Sequence, residues 1–121
     1  MAIKMQLQKM YPKEWDELKY NKVPKRSIDG YLLNFVAKIL KEVKAGTRNH
    51  MDLGDGFSIG VVHGEGNGYK LNPALRDFLM KLSDYNLEFE DGSKGGDFET
   101  PEEVEIELRK LAKKLEIKLN L

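Results

Sequence analysis

The fold is decided by residues 27–76, which read SIDGYLLNFVAKILKEVKAGTRNHMDLGDGFSIGVVHGEGNGYKLNPALR. The first part of this stretch places apolar residues at the i, i+3, i+4 and i+7 spacing of one helical face. They are Ile28, Tyr31, Leu32, Phe35, Val36, Ile39, Leu40 and Val43. Ser27 suits the N-cap of such a helix, and Gly46 suits the left-handed position after its last turn. The pattern therefore predicts a long amphipathic helix between these two residues.

The second part of the stretch is rich in glycine and has the composition of short strands. Residues 51–53 and 57–62 are separated by Gly54-Asp55-Gly56, which is typical of a hairpin turn. A second glycine cluster at residues 64–68 leads into residues 69–71, which have the composition of a third strand. The sequence thus predicts a three-stranded antiparallel meander after the long helix.

Two further strands are predicted from alternation of apolar and polar residues. Ile3, Met5 and Leu7 alternate with polar residues near the start of the chain, and residues 117–121 alternate in the same way. Residues 87–90 have a similar but shorter pattern. We therefore expect an N-terminal strand, a terminal strand and a possible strand in the acidic segment.

Proline and capping residues predict where three more helices begin. Pro12 suits the first turn of a short helix, and Pro73 follows Asn72, whose side chain can cap a helix. Thr100-Pro101-Glu102-Glu103 is a capping box with proline at the first helical position. Together with the strands, these signals predict an α+β fold.

Length and composition limit the class of protein. At 121 residues the chain is expected to form a single domain, with a core in residues 1–83 and an acidic loop, helix and strand in residues 84–121. It has no cysteine, so neither disulfides nor a thiolate metal site can form. No segment approaches 18 apolar residues, so we expect a cytoplasmic protein without a membrane partner.

The charge is balanced overall but unevenly distributed. Residues 1–50 hold 11 Lys and Arg against 5 Asp and Glu, whereas residues 51–100 hold 4 against 10. Such asymmetry indicates either a basic face for a polyanion or two halves that attract each other on folding. Both interpretations stay open at the level of sequence.

The residues that could carry chemistry do not form a recognisable catalytic set. His50, Asp52, Asp55 and His63 could be imagined as metal ligands, but a metal needs three or four convergent ligands. Residues 64–68 resemble a phosphate loop only superficially, because a strand rather than a helix is expected to follow them. We therefore predict a protein that is not an enzyme and that holds no metal or cofactor.

Several short motifs resemble the HU/IHF family of bacterial DNA-bending proteins. The opening Met1-Ala2-Ile3-Lys4 is similar to the first strand of HU-like variants, and residues 53–57 are similar to the turn that starts the family's sheet. Residues 69–76 match the stretch that opens the last helix at Tyr69, Lys70, Ala74, Leu75 and Arg76. Leu71-Asn72-Pro73 replaces the family's Pro-Gly-Lys, and residues 64–68 stand where the family has long DNA-binding arms. The resemblance covers about residues 27–82 and the opening strand.

The resemblance implies HU-like helices with a small antiparallel sheet, a homodimer and an association with double-stranded DNA, which would make the protein nucleoid-associated. Binding would use phosphate contacts with little sequence specificity. The candidate nucleic-acid-binding residues are Lys25, Arg26, Arg48, Lys70 and Arg76. Lys70 and Arg76 come from the motif, and the other three come from the charge pattern. The alternative is a protein-interaction or assembly protein of the phage or mobile-element type, whose acidic segment 84–103 would bind a host or structural partner.

Overall fold

A computed structural model of the chain describes residues 2–83, 98 and 100–121. Six α-helices lie in this part of the chain: α1 Ala2–Met10, α2 Pro12–Lys19, α3 Ile28–Lys44, α4 Asp55–Phe57, α5 Pro73–Ser83 and α6 Pro101–Lys114. Lys25–Ser27 and His50–Gly54 form 3₁₀ turns, and Ser58–Gly64 is π-helical. No strand occurs in the described residues, so the predicted α+β fold with an antiparallel sheet is wrong.

The long helix predicted from the apolar spacing is confirmed as α3, and it lies at the centre of the packing. It contacts α6 on one side and the segment around α4 on another. Leu33 and Ala37 lie outside the predicted apolar face, yet both are fully buried. Gly46 has the predicted left-handed backbone, with φ +80°, where the chain leaves the helix. A helix that is covered on several sides buries more than the single stripe that its sequence pattern predicts.

Residues 50–64, which we call the glycine segment, are helical throughout, and the hairpin predicted for them is wrong. The segment passes without interruption from a 3₁₀ turn through α4 into the π-helical stretch. It packs against α3 and α5. The glycines at positions 56, 60 and 64 recur every four residues, which places them along one side of a helix.

The close approach of neighbouring helices explains the glycines at positions 56 and 60. A Cβ atom added at Gly60 would lie 2.8 Å from Leu79 Cδ1 and 3.3 Å from Leu32 Cδ1. One added at Gly56 would lie 2.9 Å from Val36 Cγ2. Glycine is therefore required at these positions by packing, because even a methyl group would overlap side chains of α3 and α5.

The prediction of an N-terminal strand is also wrong, because residues 2–10 form α1. Alanine, methionine, leucine, glutamine and lysine all favour helix, and no other strand in the part of the chain that the structure describes could supply the backbone hydrogen bonds of a single strand. Leu7, Met10 and Tyr11 have the i, i+3, i+4 spacing of a helical face. Leu7 and Tyr11 are buried, and Met10 packs against the core. The helical spacing of these three residues was therefore a better guide to the structure than the alternation of Ile3, Met5 and Leu7.

Residues 69–71 and 117–121, which are both predicted as strands, have no regular secondary structure. Tyr69 and Leu71 are buried whereas Lys70 is exposed. Ile117 and Leu119 pack against the core, and the residue between them is exposed. Side chains in both segments therefore alternate between the core and the solvent, although no strand forms in either segment.

Residues 117–121, which we call the tail, are held by the side chain of one residue on α3. Asn34 Nδ2 donates to the carbonyl oxygen of Lys118 at 3.0 Å, and Asn34 Oδ1 accepts from the backbone N–H of Asn120 at 2.7 Å. One amide group thus satisfies a donor and an acceptor two residues apart, as a neighbouring strand would. The tail is fixed beside α3 without a sheet.

The three helix starts predicted from proline and capping residues are confirmed. Asn72 Oδ1 accepts from the N–H of Ala74 at 2.9 Å at the start of α5, and Thr100 Oγ1 accepts from the N–H of Glu103 at 3.2 Å at the start of α6. Pro12 opens α2. The predicted strand at residues 87–90 and most of the acidic segment 84–103 lie outside the described residues.

Candidate functional site

Lys25 and Arg26 lie on the 3₁₀ turn that leads into α3. Ser27 N–H donates to the carbonyl oxygen of Pro24 at 2.8 Å, which closes this turn. Both basic side chains are exposed, and neither forms an ion pair with another described residue. They therefore present two uncompensated positive charges immediately before the N-terminus of the central helix.

Two hydrogen bonds bring the predicted residue Lys70 beside this turn. The hydroxyl of Tyr69 donates to the carbonyl oxygen of Val23 at 2.7 Å, and the N–H of Asn72 donates to Asp29 Oδ1 at 3.0 Å. These contacts hold the backbone on either side of Lys70 against residues 23–29. The fold thus brings together the segments that carry three of the five predicted residues, although these segments are about 45 positions apart in sequence. We call the exposed residues Lys25, Arg26 and Lys70 on these adjoining segments the cationic surface.

Arg26 also borders a groove between α2, α3 and the tail. The groove has a volume of about 720 Å³. Its lining includes the cationic side chains of Lys13, Arg26 and Lys38 and the aromatic side chains of Tyr31 and Phe35. We call this feature the α2–α3 groove. Its cations come from three separate elements, and Lys13 was not among the residues predicted from the sequence.

The carboxylates in the groove are already engaged by other groups. Glu14 is only 7% exposed, and its Oε2 accepts from Lys38 Nζ at 3.4 Å. Asp29 accepts from the backbone of Asn72, as described above. Since two carboxylates face three cations, the lining carries one net positive charge. Arg26 makes no hydrogen bond with another described residue, so its N–H donors are available to an anionic ligand.

Tyr31 stands in the groove with its hydroxyl turned inward. The residue is half-buried, its hydroxyl oxygen is fully buried, and the carboxylate of Glu17 lies close to that hydroxyl. Burial and the nearby carboxylates of Glu17 and Glu14 raise the pKa of the phenol. Tyr31 therefore stays protonated at neutral pH, and its exposed surface comes from parts of the residue other than the hydroxyl.

The other two predicted residues are engaged in ion pairs. Arg76 Nε lies 3.2 Å from both carboxylate oxygens of Glu65. Arg48 Nε donates to Glu42 Oε2 at 2.6 Å, and Arg48 Nη1 donates to the hydroxyl of Tyr11 at 2.8 Å. Both arginines thus form ion pairs, whereas the residues of the cationic surface do not. Their role in nucleic-acid binding stays a prediction.

Arg48 belongs to a network that includes a carboxylate with a shifted pKa. The hydroxyl of Tyr11 donates to Asp55 Oδ2 at 2.8 Å. Burial raises the pKa of Asp55 from its usual 3.8, although the hydrogen bond from Tyr11 and the charge of Arg48 oppose this rise. The charged form of Asp55 therefore costs more in the folded chain than in the unfolded chain.

This shift predicts how substitution of Asp55 changes the pH dependence of stability. A pKa that is raised on folding contributes stability that is fully present below the unfolded pKa and is lost as pH rises through the folded pKa. Asp55→Asn removes this titration and can still accept from Tyr11. We expect the free energy of unfolding of Asp55→Asn to rise relative to wild type as pH increases above about 4. Urea unfolding at pH 3 to 7 measures the stability of the variant minus that of wild type, and a value that stays constant or falls as pH rises would contradict the assignment.

His63 lies in surroundings that differ from those of a metal ligand. The ring of His63 stacks on Trp15 with 3.8 Å between centroids, and His63 Nε2 lies 2.8 Å from the carbonyl oxygen of Trp15. Over residues 2–83, 98 and 100–121, no group of three or more His, Cys, Asp or Glu side chains is arranged to hold a metal ion. His63 instead ties the glycine segment to α2.

Sequence reasoning missed Lys13 and Tyr31 as parts of a binding groove. Lys13 follows the proline that starts α2, and Tyr31 had been assigned to the buried face of α3. The sequence predicts that both residues lie on helices. That they line the same groove depends on how α2 packs against the rest of the chain. The groove is therefore a tertiary feature that no local pattern reports.

Comparison with known proteins gives no information about the function of this chain. No family model, no curated protein and no solved structure matches the chain. The resemblance to the HU/IHF family and the expected homodimer therefore stay predictions. Among the described residues, no helix is both long enough and apolar enough to cross a membrane.

Proposed function

We propose that this chain is a small non-enzymatic protein that binds nucleic acid through phosphate contacts with little sequence specificity. The observation that carries the proposal is the cationic surface of Lys25, Arg26 and Lys70. These side chains are exposed and unpaired within the described residues, and hydrogen bonds from Tyr69 and Asn72 hold their backbones together. Basic side chains that lie together and lack carboxylate partners are the usual means of binding a phosphate backbone.

The position of two of these cations opposes folding stability, which favours a functional reason for them. Lys25 and Arg26 immediately precede the N-terminus of α3, where the helix dipole is positive. Positive charges at this end are unfavourable, whereas Asp or Glu would stabilise the helix. A binding role explains why basic residues occupy positions that helix electrostatics alone would give to acidic ones.

The double substitution Lys25→Glu/Arg26→Glu tests the proposal because binding and stability should respond in opposite directions. We expect wild type to bind a labelled mixed-sequence duplex with Kd on the order of 1–100 μM at physiological salt. The variant should bind at least about tenfold more weakly, and its slope of log affinity against log salt should be shallower by about two. Its free energy of unfolding should equal that of wild type or exceed it by up to about 1 kcal/mol.

Lys81→Glu/Lys110→Glu is the matched control, because it reverses two exposed lysines that line the groove between α5 and α6. The change in net charge is the same in both variants. If affinity depends only on net charge, the two double variants will lose binding equally, and the assignment to the Lys25–Arg26 turn fails. Absence of any salt-dependent binding by wild type would remove the proposed function altogether.

A further inference from the structure

The α2–α3 groove differs from a simple phosphate-binding surface because it combines cations with an aromatic side chain. Lys13, Arg26 and Lys38 line the groove together with Tyr31. Its volume of about 720 Å³ lies in the range of sites that enclose small ligands. Arg26 belongs both to the groove and to the cationic surface, so a strand that follows the surface can continue into the groove.

The polar groups of the groove are suited to an anionic ligand. Its acceptors are engaged, since Glu14 accepts from Lys38, Asp29 accepts from the backbone of Asn72, and Asn34 holds the tail. Among the described residues, Arg26 has no partner, and Lys13 Nζ lies 4.0 Å from Glu17 Oε1, which is a weak contact. The groove therefore offers free donors and few free acceptors.

Tyr31 supplies a feature that phosphate binding alone does not need. Its hydroxyl oxygen is fully buried while the residue remains partly exposed in the groove. An aromatic ring beside a basic groove is the arrangement on which unpaired bases stack, and stacking requires no particular sequence. Bases in a duplex are paired and stacked on each other, so they cannot meet this ring.

We infer that the α2–α3 groove binds single-stranded nucleic acid, with a base against Tyr31 and the adjoining phosphates on Arg26 and Lys13. This inference rests on the proposed function and names its substrate class. Two cations, Arg26 and Lys13, in contact with the phosphates of a single strand predict a slope of about −1.4 for log affinity against log salt. Because only an unpaired base can reach Tyr31, a single strand should bind more tightly than a duplex of the same length, although the duplex carries twice as many phosphates.

Titration of labelled dT12, rU12 and a 12-base-pair duplex against wild type, Tyr31→Leu and Tyr31→Phe tests the inference. Tyr31→Leu removes the ring and should weaken binding of the single strands about tenfold, whereas Tyr31→Phe keeps the ring and should bind as wild type does. Duplex binding should not respond to either substitution. The relative affinity of dT12 and rU12 shows whether DNA or RNA is preferred.

A crosslinking experiment gives a second readout that does not depend on the stability of a variant. Irradiation of wild type with a single strand that carries 5-iodouracil should attach the strand to the peptide that contains Tyr31. Attachment elsewhere, or equal single-strand affinity of Tyr31→Leu and wild type, would overturn the inference. Binding of the duplex without binding of either single strand would overturn it and leave the proposed function intact. Failure of all three probes to bind would remove both.

Discussion

Gly60→Val is expected to destabilise the protein by about 3 kcal/mol. A Cβ atom at this position would already lie 2.8 Å from Leu79 Cδ1 and 3.3 Å from Leu32 Cδ1. Both leucines are fully buried, so neither can move into solvent to make room. Valine adds two further methyl groups to this overlap, and the helices on either side must separate. Urea unfolding followed by circular dichroism measures the loss.

Gly66→Val is the matched control, because nothing lies within 4 Å of a Cβ atom added at Gly66. We expect this variant to stay within about 0.5 kcal/mol of wild type. The pair also distinguishes the helical glycine segment from the hairpin that the sequence predicts. In a strand at residues 57–62, valine would be favoured over glycine and Gly60→Val would be neutral or stabilising. Equal stability of the two variants would therefore contradict the packing described for Gly60.

A double variant assigns the effect to one contact. Leu79→Ala alone should cost about 2–5 kcal/mol, because it leaves a cavity in the core. When it is combined with Gly60→Val, the new valine can occupy part of this cavity. We expect the double variant to lose less stability than the two single changes together, and simple additivity would mean that the residues do not share the space.

The glycines explain why the sequence predicted strands where the structure has helix. Gly54-Asp55-Gly56 has the composition of a turn, and each glycine favours a chain reversal when it is considered alone. The recurrence at positions 56, 60 and 64 also fits a helix side that lies against its neighbours. Only the side chains opposite these glycines decide between the two interpretations, and Leu32, Val36 and Leu79 are distant from them in sequence.

Three helix starts and the end of α3 were predictable because the signals that set them are local, although Ser27 forms no side-chain capping hydrogen bond at the start of α3. Asn72 and Thr100 accept the capping hydrogen bonds that their positions predict, and Gly46 has the expected left-handed backbone. Alternation was less informative. Ile117 and Leu119 of the alternating tail pack against the core, but a strand also needs a partner, and in the tail the amide of Asn34 takes that place. Burial pattern could therefore be predicted from the sequence, whereas strand pairing could not.

The candidate site was partly predictable for a similar reason. Lys25 and Arg26 are adjacent in sequence, so their joint exposure follows from the polar connector that contains them. Their proximity to Lys70 depends on two hydrogen bonds that span 46 and 43 positions, from Tyr69 to Val23 and from Asn72 to Asp29. Charge counting cannot identify such contacts. It also cannot separate free cations from Arg48, whose partners include a tyrosine 37 positions earlier.

Arg48→Ala is expected to destabilise the protein by about 2–4 kcal/mol, although Arg48 was predicted as a nucleic-acid contact. Its side chain is 20% exposed and donates to both Glu42 and the hydroxyl of Tyr11. The guanidinium also lies over the ring of Tyr11, 5.1 Å from its centroid. The hydroxyl of Tyr11 also donates to Asp55, which is partly buried. Removal of the Arg48 guanidinium leaves this carboxylate without a nearby positive charge. Chemical unfolding at pH 7 measures this loss.

Arg76→Ala is the control, because its guanidinium has a single carboxylate partner and is 46% exposed. An exposed ion pair of this kind contributes little, so we expect a change of no more than about 0.5 kcal/mol. Arg48→Lys should recover only part of the stability, since an ammonium group cannot reproduce the two directed hydrogen bonds and the stacked plane of arginine. If Arg48 instead acts as a surface contact for phosphate, Arg48→Ala will weaken nucleic-acid binding and leave the unfolding free energy unchanged. The two measurements on one variant therefore separate an arginine that holds the fold together from one that binds a ligand.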